Sequence, residues 1–159
     1  MVFPATMTGF EQFAAGQIFI SPPLVVTAEA IKAFGRDFDV QAQHLDEAAA
    51  SGSIFGTLVA SGWHTASLTM RLILASAFAG VGGRGMGVRI QDLTWPAPVY
   101  PGDALAATSE VRELRPSRSK PDRGLVILHT ITRKQDGAAV LDMVSTCLVL
   151  RSDAVLSPP

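Results

Sequence analysis

Asp39 and His44 are the two side chains in this sequence best suited to move a proton together. They stand five residues apart in 37–44, a stretch with neither helical nor strand periodicity. Five is a poor spacing for one helix face, where neighbours lie three or four apart. An irregular chain, however, can fold back and aim both groups at one space. A carboxylate beside an imidazole makes an acid/base pair, because each shifts the other's proton affinity and histidine titrates near neutral pH. A plainer reading also fits, with a loop aspartate capping a helix and a histidine on the surface. Spacing does not decide between the two.

Other candidates carry less. Gly80, Gly82 and Gly85 spell G-x-G-x-x-G, but they follow a helical segment and precede a strand, the reverse of a dinucleotide site. His44, Asp46 and His64 match no metal-ligand spacing. His129 alternates along a strand with Leu128 and Thr130, and Cys147 sits among Leu148 and Val149, so both read as structural. Arg115, Arg118, Lys120 and Arg123 could meet phosphate groups; a solvated, proline-containing hairpin tip fits them equally well.

The elements that must position the pair follow from periodicity. Residues 17–26 read as a strand, and Thr27 as the N-cap of a helix over 28–34 that Gly35 stops. Asp46 caps a short helix over 47–50. Ser61 caps a long segment, 59–79, apolar on almost every side, and such a helix belongs in the middle of a fold. After a glycine-rich turn at 80–87, strands begin at Val88 and continue over 105–114, 125–134 and 138–150. Asp136-Gly137 signals a two-residue hairpin. Strands segregated from helices indicate an α+β domain in which a curved antiparallel sheet wraps a long apolar helix.

The chain of 159 residues fits one domain, 1–159. With a formal charge of -1 and a broken basic stretch, nothing electrostatic favours nucleic acid. Charged residues are only 17% and mean hydropathy is +0.30, so apolar surface is expected to hide in a homodimer or larger homo-oligomer. The lone Cys147 excludes an intramolecular disulfide and favours a cytoplasmic setting. Pro22 and Pro23 interrupt the first apolar run, and Arg71 and His64 interrupt 58–80, so no membrane span is expected.

A longer string surrounds the pair. Phe38-Asp39-Val40-Gln41-Ala42-Gln43-His44-Leu45-Asp46-Glu47-Ala48, then Phe55-Gly56, then Val59-Ala60-Ser61-Gly62-Trp63-His64-Thr65-Ala66 resembles the signature of the MaoC-like and (R)-specific enoyl-CoA hydratase family. Trp95, Pro98, Pro101-Gly102-Asp103 and the run 115–121 extend the resemblance, which covers roughly 15–150. It implies the hot-dog fold and an acyl-CoA thioester substrate, with coenzyme A as part of that substrate and no separate cofactor or metal. It also implies that Asp39 and His44 hold and activate a water that adds across the 2,3 double bond, or leaves it. Gly62 would then offer a free amide at the helix start to the thioester oxygen, its missing side chain letting the carbonyl approach; close helix packing is the alternative for that glycine.

Four residues depart from the family's pattern. Gln41 and Ala42 stand where members usually have a proline between the aspartate and the histidine and often an asparagine two after the aspartate, Ser61 where many members have histidine, and Met70 where some place a serine that orients the pair. Thioester hydrolysis and a non-catalytic acyl-binding scaffold are the competing functions. No Asp or Glu lies between Ser61 and Ala79, where hydrolases of this fold typically carry their carboxylate.

Overall fold

The computed structural model describes residues 8–81 and 83–154. Two short strands, β1 (Ile18–Ile20) and β2 (Leu24–Val25), precede helices α1 (Ala28–Phe38), α2 (Ala42–Leu45), α3 (Glu47–Ala50) and α4 (Gly62–Leu74). Four longer strands follow: β3 (Gly85–Thr94), β4 (Ala104–Pro116), β5 (Arg123–Arg133) and β6 (Ala139–Leu150). They form an antiparallel sheet in the order β1-β4-β5-β6-β3, with β2 also on β4. The α+β class and the helix-and-sheet arrangement expected from the sequence are both present.

One face of the sheet packs on α4. Val126, Leu128, Thr130 and Thr132 alternate along β5 and are buried, as the period of two requires. Thr132 shares a hydrogen bond with Thr69 of α4 at 2.8 Å, and Thr130 shares one with Ser109 of β4 at 2.8 Å. These hydroxyls satisfy one another where water is excluded. Two apolar clusters flank this polar seam. One gathers Phe10, Phe13, Phe19, Ile73, Phe78, Val111 and Val126; the other gathers Val26, Ile31, Leu58, Ala60, Leu72, Val99 and Leu105. Each fully buried aliphatic contributes roughly 1.5–3 kcal/mol.

Several local expectations are corrected. Pro22-Pro23 split the first strand into β1 and β2, because proline donates no ladder hydrogen bond. Gly35 does not stop α1, which runs on to Phe38; it lies buried inside the helix. The stretch 37–44 is not irregular, since α1 covers its start and α2 carries His44. The segment 59–79 is helical only over Gly62–Leu74, and a 3-10 turn follows at Ala77–Val81. Nor is α4 enclosed on all sides: Trp63, Met70, Arg71 and Leu74 face outward. β3 starts at Gly85 rather than Val88.

The 136–137 hairpin has a three-residue loop instead of two. Gly137 donates to the Lys134 carbonyl at 3.0 Å and takes φ 88°, while Lys134 donates to Ala138 at 2.9 Å. This is a tight turn closed by a left-handed glycine, so Asp136 needs no positive φ.

Candidate active site

Three capped elements bring the acid/base candidates together. Thr27 caps α1 by accepting from the Ala30 amide at 3.2 Å. At the other end Asp39 leaves the helix with φ −149°, its amide donating to the Gly35 carbonyl at 3.0 Å. Three residues later α2 begins, and its approach to α1 requires the missing side chain of Gly35. A Cβ there would lie 2.9 Å from the His44 carbonyl oxygen and 3.1 Å from the His44 Cβ. Asp46 caps α3 by accepting from Ala49 at 2.9 Å. The chain then returns along Val59–Ala60, tied by Val59 donating to Gln43 at 3.0 Å and Ala60 to Val99 at 2.8 Å.

The imidazole of His44 is buried, 6% exposed, and its Nδ1 lies 2.7 Å from the Val59 carbonyl. A carbonyl can only accept, so Nδ1 carries the hydrogen and Nε2 is the nitrogen turned toward Asp39. Asp39 Oδ2 stands 3.5 Å from that Nε2. Hydrogen bonding from the Ser61 hydroxyl first, and from Gln41 second, holds the Asp39 carboxyl below the usual carboxylate range; the Gln41 contact is 2.7 Å long. The result is an ionised carboxylate facing an imidazole nitrogen across a gap too long for a strong direct bond.

Two residues that depart from the family's pattern are thus the ones that hold Asp39. Ser61 is the N-cap of α4, its Oγ accepting from Trp63 at 3.2 Å, and it is almost wholly buried. Gln41 holds the carboxylate by a direct amide contact. The sequence carried one signal for Ser61, its cap position, but none for its contact with Asp39. Met70 has no part in the pair and lies on the exposed face of α4.

Gly62 opens α4 beside Asp39's partner Ser61, and its amide belongs to the first turn, which has no acceptor within the helix. The space left by its missing side chain is filled, however. A Cβ there would meet the Trp95 ring at 3.0 Å, and Trp95 Nε1 donates to the Gly62 carbonyl at 2.7 Å. The bare Cα therefore serves packing against an indole on that side. A cleft of about 180 Å³ adjoins the glycine, lined among others by Phe55, Val59, Thr65, Trp95 and Pro98.

His64 is also buried. It stacks flat on Phe34, ring centroids 4.8 Å apart, and burial followed by the nearby His44 charge pushes its imidazole below the ordinary value. The remaining candidates lie elsewhere. Asp46 is engaged as a cap, and among the described residues no three His, Cys, Asp or Glu side chains gather as metal ligands. His129 bridges Arg112 at 2.9 Å and Asp142 at 2.8 Å on the outer sheet face. Cys147 is partly buried, and that burial pushes its thiol up. Gly80 lies in the 3-10 turn and Gly85 opens β3, while Gly82 falls outside the described residues.

Arg115 pairs with Glu113 and Arg123 with Asp122. With Arg118 they line a larger hollow of about 670 Å³ at the β4–β5 tip. That tip adjoins the phenylalanine cluster, the opposite end of the core from Asp39. Among the described residues, no helix is long and apolar enough to cross a membrane.

Comparison with known proteins places the fold and the family. The MaoC like domain family matches residues 11–131. A MaoC-like dehydratase from Rhodospirillum rubrum is 41% identical, with a TM-score of 0.84 over 93% of this chain and 99% of that one. The (R)-hydratase of A. caviae involved in PHA biosynthesis is 25% identical, with a TM-score of 0.70 over 86% of this chain and 97% of that one. A Mycobacterium tuberculosis protein with a double hot-dog fold, 19% identical, superposes with a TM-score of 0.77 over 94% of this chain and 46% of its own length, a likeness of fold. The architecture is the hot-dog fold, and the chain belongs to the MaoC-like domain family, related to the (R)-hydratases.

Proposed function

We propose that the chain is a hydratase or dehydratase acting on an enoyl-CoA or related acyl thioester, with Asp39 and His44 as its acid/base pair. The observation that carries this reading is the pair itself: an imidazole whose tautomer is fixed by Val59, 3.5 Å from a carboxylate held ionised by Ser61 and Gln41. A water bridging the two would present its oxygen to C3 of a bound 2-enoyl thioester. His44 Nε2 takes one proton from that water as the C3–O bond forms, and the π electrons move toward the thioester oxygen. The imidazolium, stabilised by Asp39, then returns the proton to C2, so one water is added and the site is restored. Dehydration is the same path reversed. The Gly62 amide, at the positive end of α4, is the proposed donor to the thioester oxygen.

The reading includes a homodimer. β3 is an edge strand of the sheet, and Met86, Val88 and Ile90 on it are all roughly half exposed. Such an edge invites pairing with a second copy, and the outward Met70 and Leu74 of α4 adjoin it across a groove of about 250 Å³. The single cysteine supports a cytoplasmic setting.

The test is to mix the protein with crotonyl-CoA and follow enoyl absorbance and free thiol together. Hydration removes the conjugated chromophore without releasing thiol. Thiol release would instead mark a thioesterase, and neither signal a scaffold.

A further inference from the structure

We propose that Trp95 is a positioning residue for this site, clamping the first turn of α4 so that the Gly62 amide keeps its aim. The inference rests on the hydratase reading above. Trp95 follows directly on β3, whose pairing with β6 is broken by a register shift between Gln91 and Thr94. Within that irregularity Asp92 takes φ 52°, the one positive φ at a non-glycine position among the described residues. Bulges of this kind bend a strand and re-aim the side chains beyond them. Here the side chain beyond is the indole that reaches back across the cleft.

Two contacts fix what it does there. Nε1–H donates to the Gly62 carbonyl at 2.7 Å, a donor from outside the helix that anchors the Gly62–Trp63 peptide plane. Indole atoms Cε2, Cδ2 and Nε1 stand 3.0–3.2 Å from where a side chain at residue 62 would begin. Trp63 meets the same ring edge-on at 5.4 Å. Trp95 is 40% exposed, so burial of the indole is not the whole reason for its place. Its ring also walls the cleft that Gly62 adjoins, together with Phe55 and Pro98. The indole therefore controls both the orientation of the first turn and the room above it.

The experiment uses the full chain with crotonyl-CoA and two sets of variants. Trp95→Phe keeps most of the ring and removes the N–H. We expect kcat to fall about tenfold, the scale of a small misplacement of a catalytic group, with KM and the thermal midpoint nearly unchanged. An unchanged kcat, or a loss confined to KM or to the thermal midpoint, would overturn the inference. Gly62→Ala should lower the thermal midpoint, and Trp95→Ala in the same chain should recover it, because the new Cβ then meets open space. A midpoint as low in the double variant as in Gly62→Ala would also overturn it. A wild-type chain that leaves the enoyl chromophore intact removes the hydratase reading and this inference together; a wild type that hydrates beside a Trp95→Phe variant of equal kcat removes the inference alone.

Discussion

At its C-terminal end α4 meets a knot of aromatic rings: Phe13, Phe19 and Phe78 lie with centroids 5.2–6.0 Å apart, closed over by Ile73, Val111 and Val126. At its N-terminal end the neighbours are Asp39, His44, Ser61 and His64, each with a polar atom that must be satisfied or kept neutral. The same helix and sheet support both ends. Non-directional packing holds the first, and any side chain of similar volume would serve it. Directed hydrogen bonds hold the second, where a shift of a few tenths of an ångström changes which groups meet. On the proposed reading, stability and chemistry are therefore separable along one helix.

Substitutions at the two ends should break in opposite ways. Asp39→Asn and His44→Asn, whose amide can keep a donor on the Val59 carbonyl, should each lower kcat for hydration by about 10²–10⁴-fold with unfolding little changed, checked by turnover and chemical denaturation on one preparation. Phe78→Ala should do the reverse, costing about 3–5 kcal/mol of folding stability while the molecules that remain folded keep their kcat. Parallel losses in both measurements for either end would erase the distinction.

Smaller changes sharpen it. Gly35→Ala adds helix propensity worth roughly 1 kcal/mol, yet its Cβ would press on the backbone of His44. The clash with backbone outweighs that gain, so we expect a lower melting point together with a kcat lower by roughly tenfold. Ser61→Ala removes both the α4 cap and the main support of the Asp39 carboxylate. Stability should fall by about 1 kcal/mol, and the acid limb of the kcat/KM profile should move to higher pH as the Asp39 value rises.

The smallest effect concerns His64. Its folded imidazole lies below the ordinary 6.5, so just below that pH the unfolded chain binds the proton that the folded chain refuses. Stability should therefore decline as pH falls from 6.5 toward the lowered value. His64→Leu should flatten that part of a melting-point-against-pH curve. Asp39 acts in a separate window, since its support is lost only as pH falls below the ordinary carboxylate value of 3.8.

Much of this was legible in the residues. The caps at Thr27, Asp46 and Ser61 follow from short oxygen-bearing side chains ahead of apolar runs, and the three long strands follow from alternation. The convergence of Asp39 and His44 was legible as a possibility, because type and spacing permit it without requiring it. What was hidden depends on contacts between distant segments. Gly35 looks like a helix stop until α2 is seen resting on it, and Trp95 lies 33 residues from the carbonyl it holds. Ser61 reads as a cap and a departure from pattern, and its hold on Asp39 emerges only when α1 and α4 meet. The open face of α4 was hidden too, because a helix apolar all round does not say which side its own chain covers.

The most direct measurement is hydration of crotonyl-CoA in oxygen-18 water, with the label located by mass spectrometry. The account predicts label in the C3 hydroxyl of an intact CoA thioester, lost in both Asp39→Asn and His44→Asn. Label in a free carboxylate with released coenzyme A, or label at C3 undiminished in those variants, would contradict it.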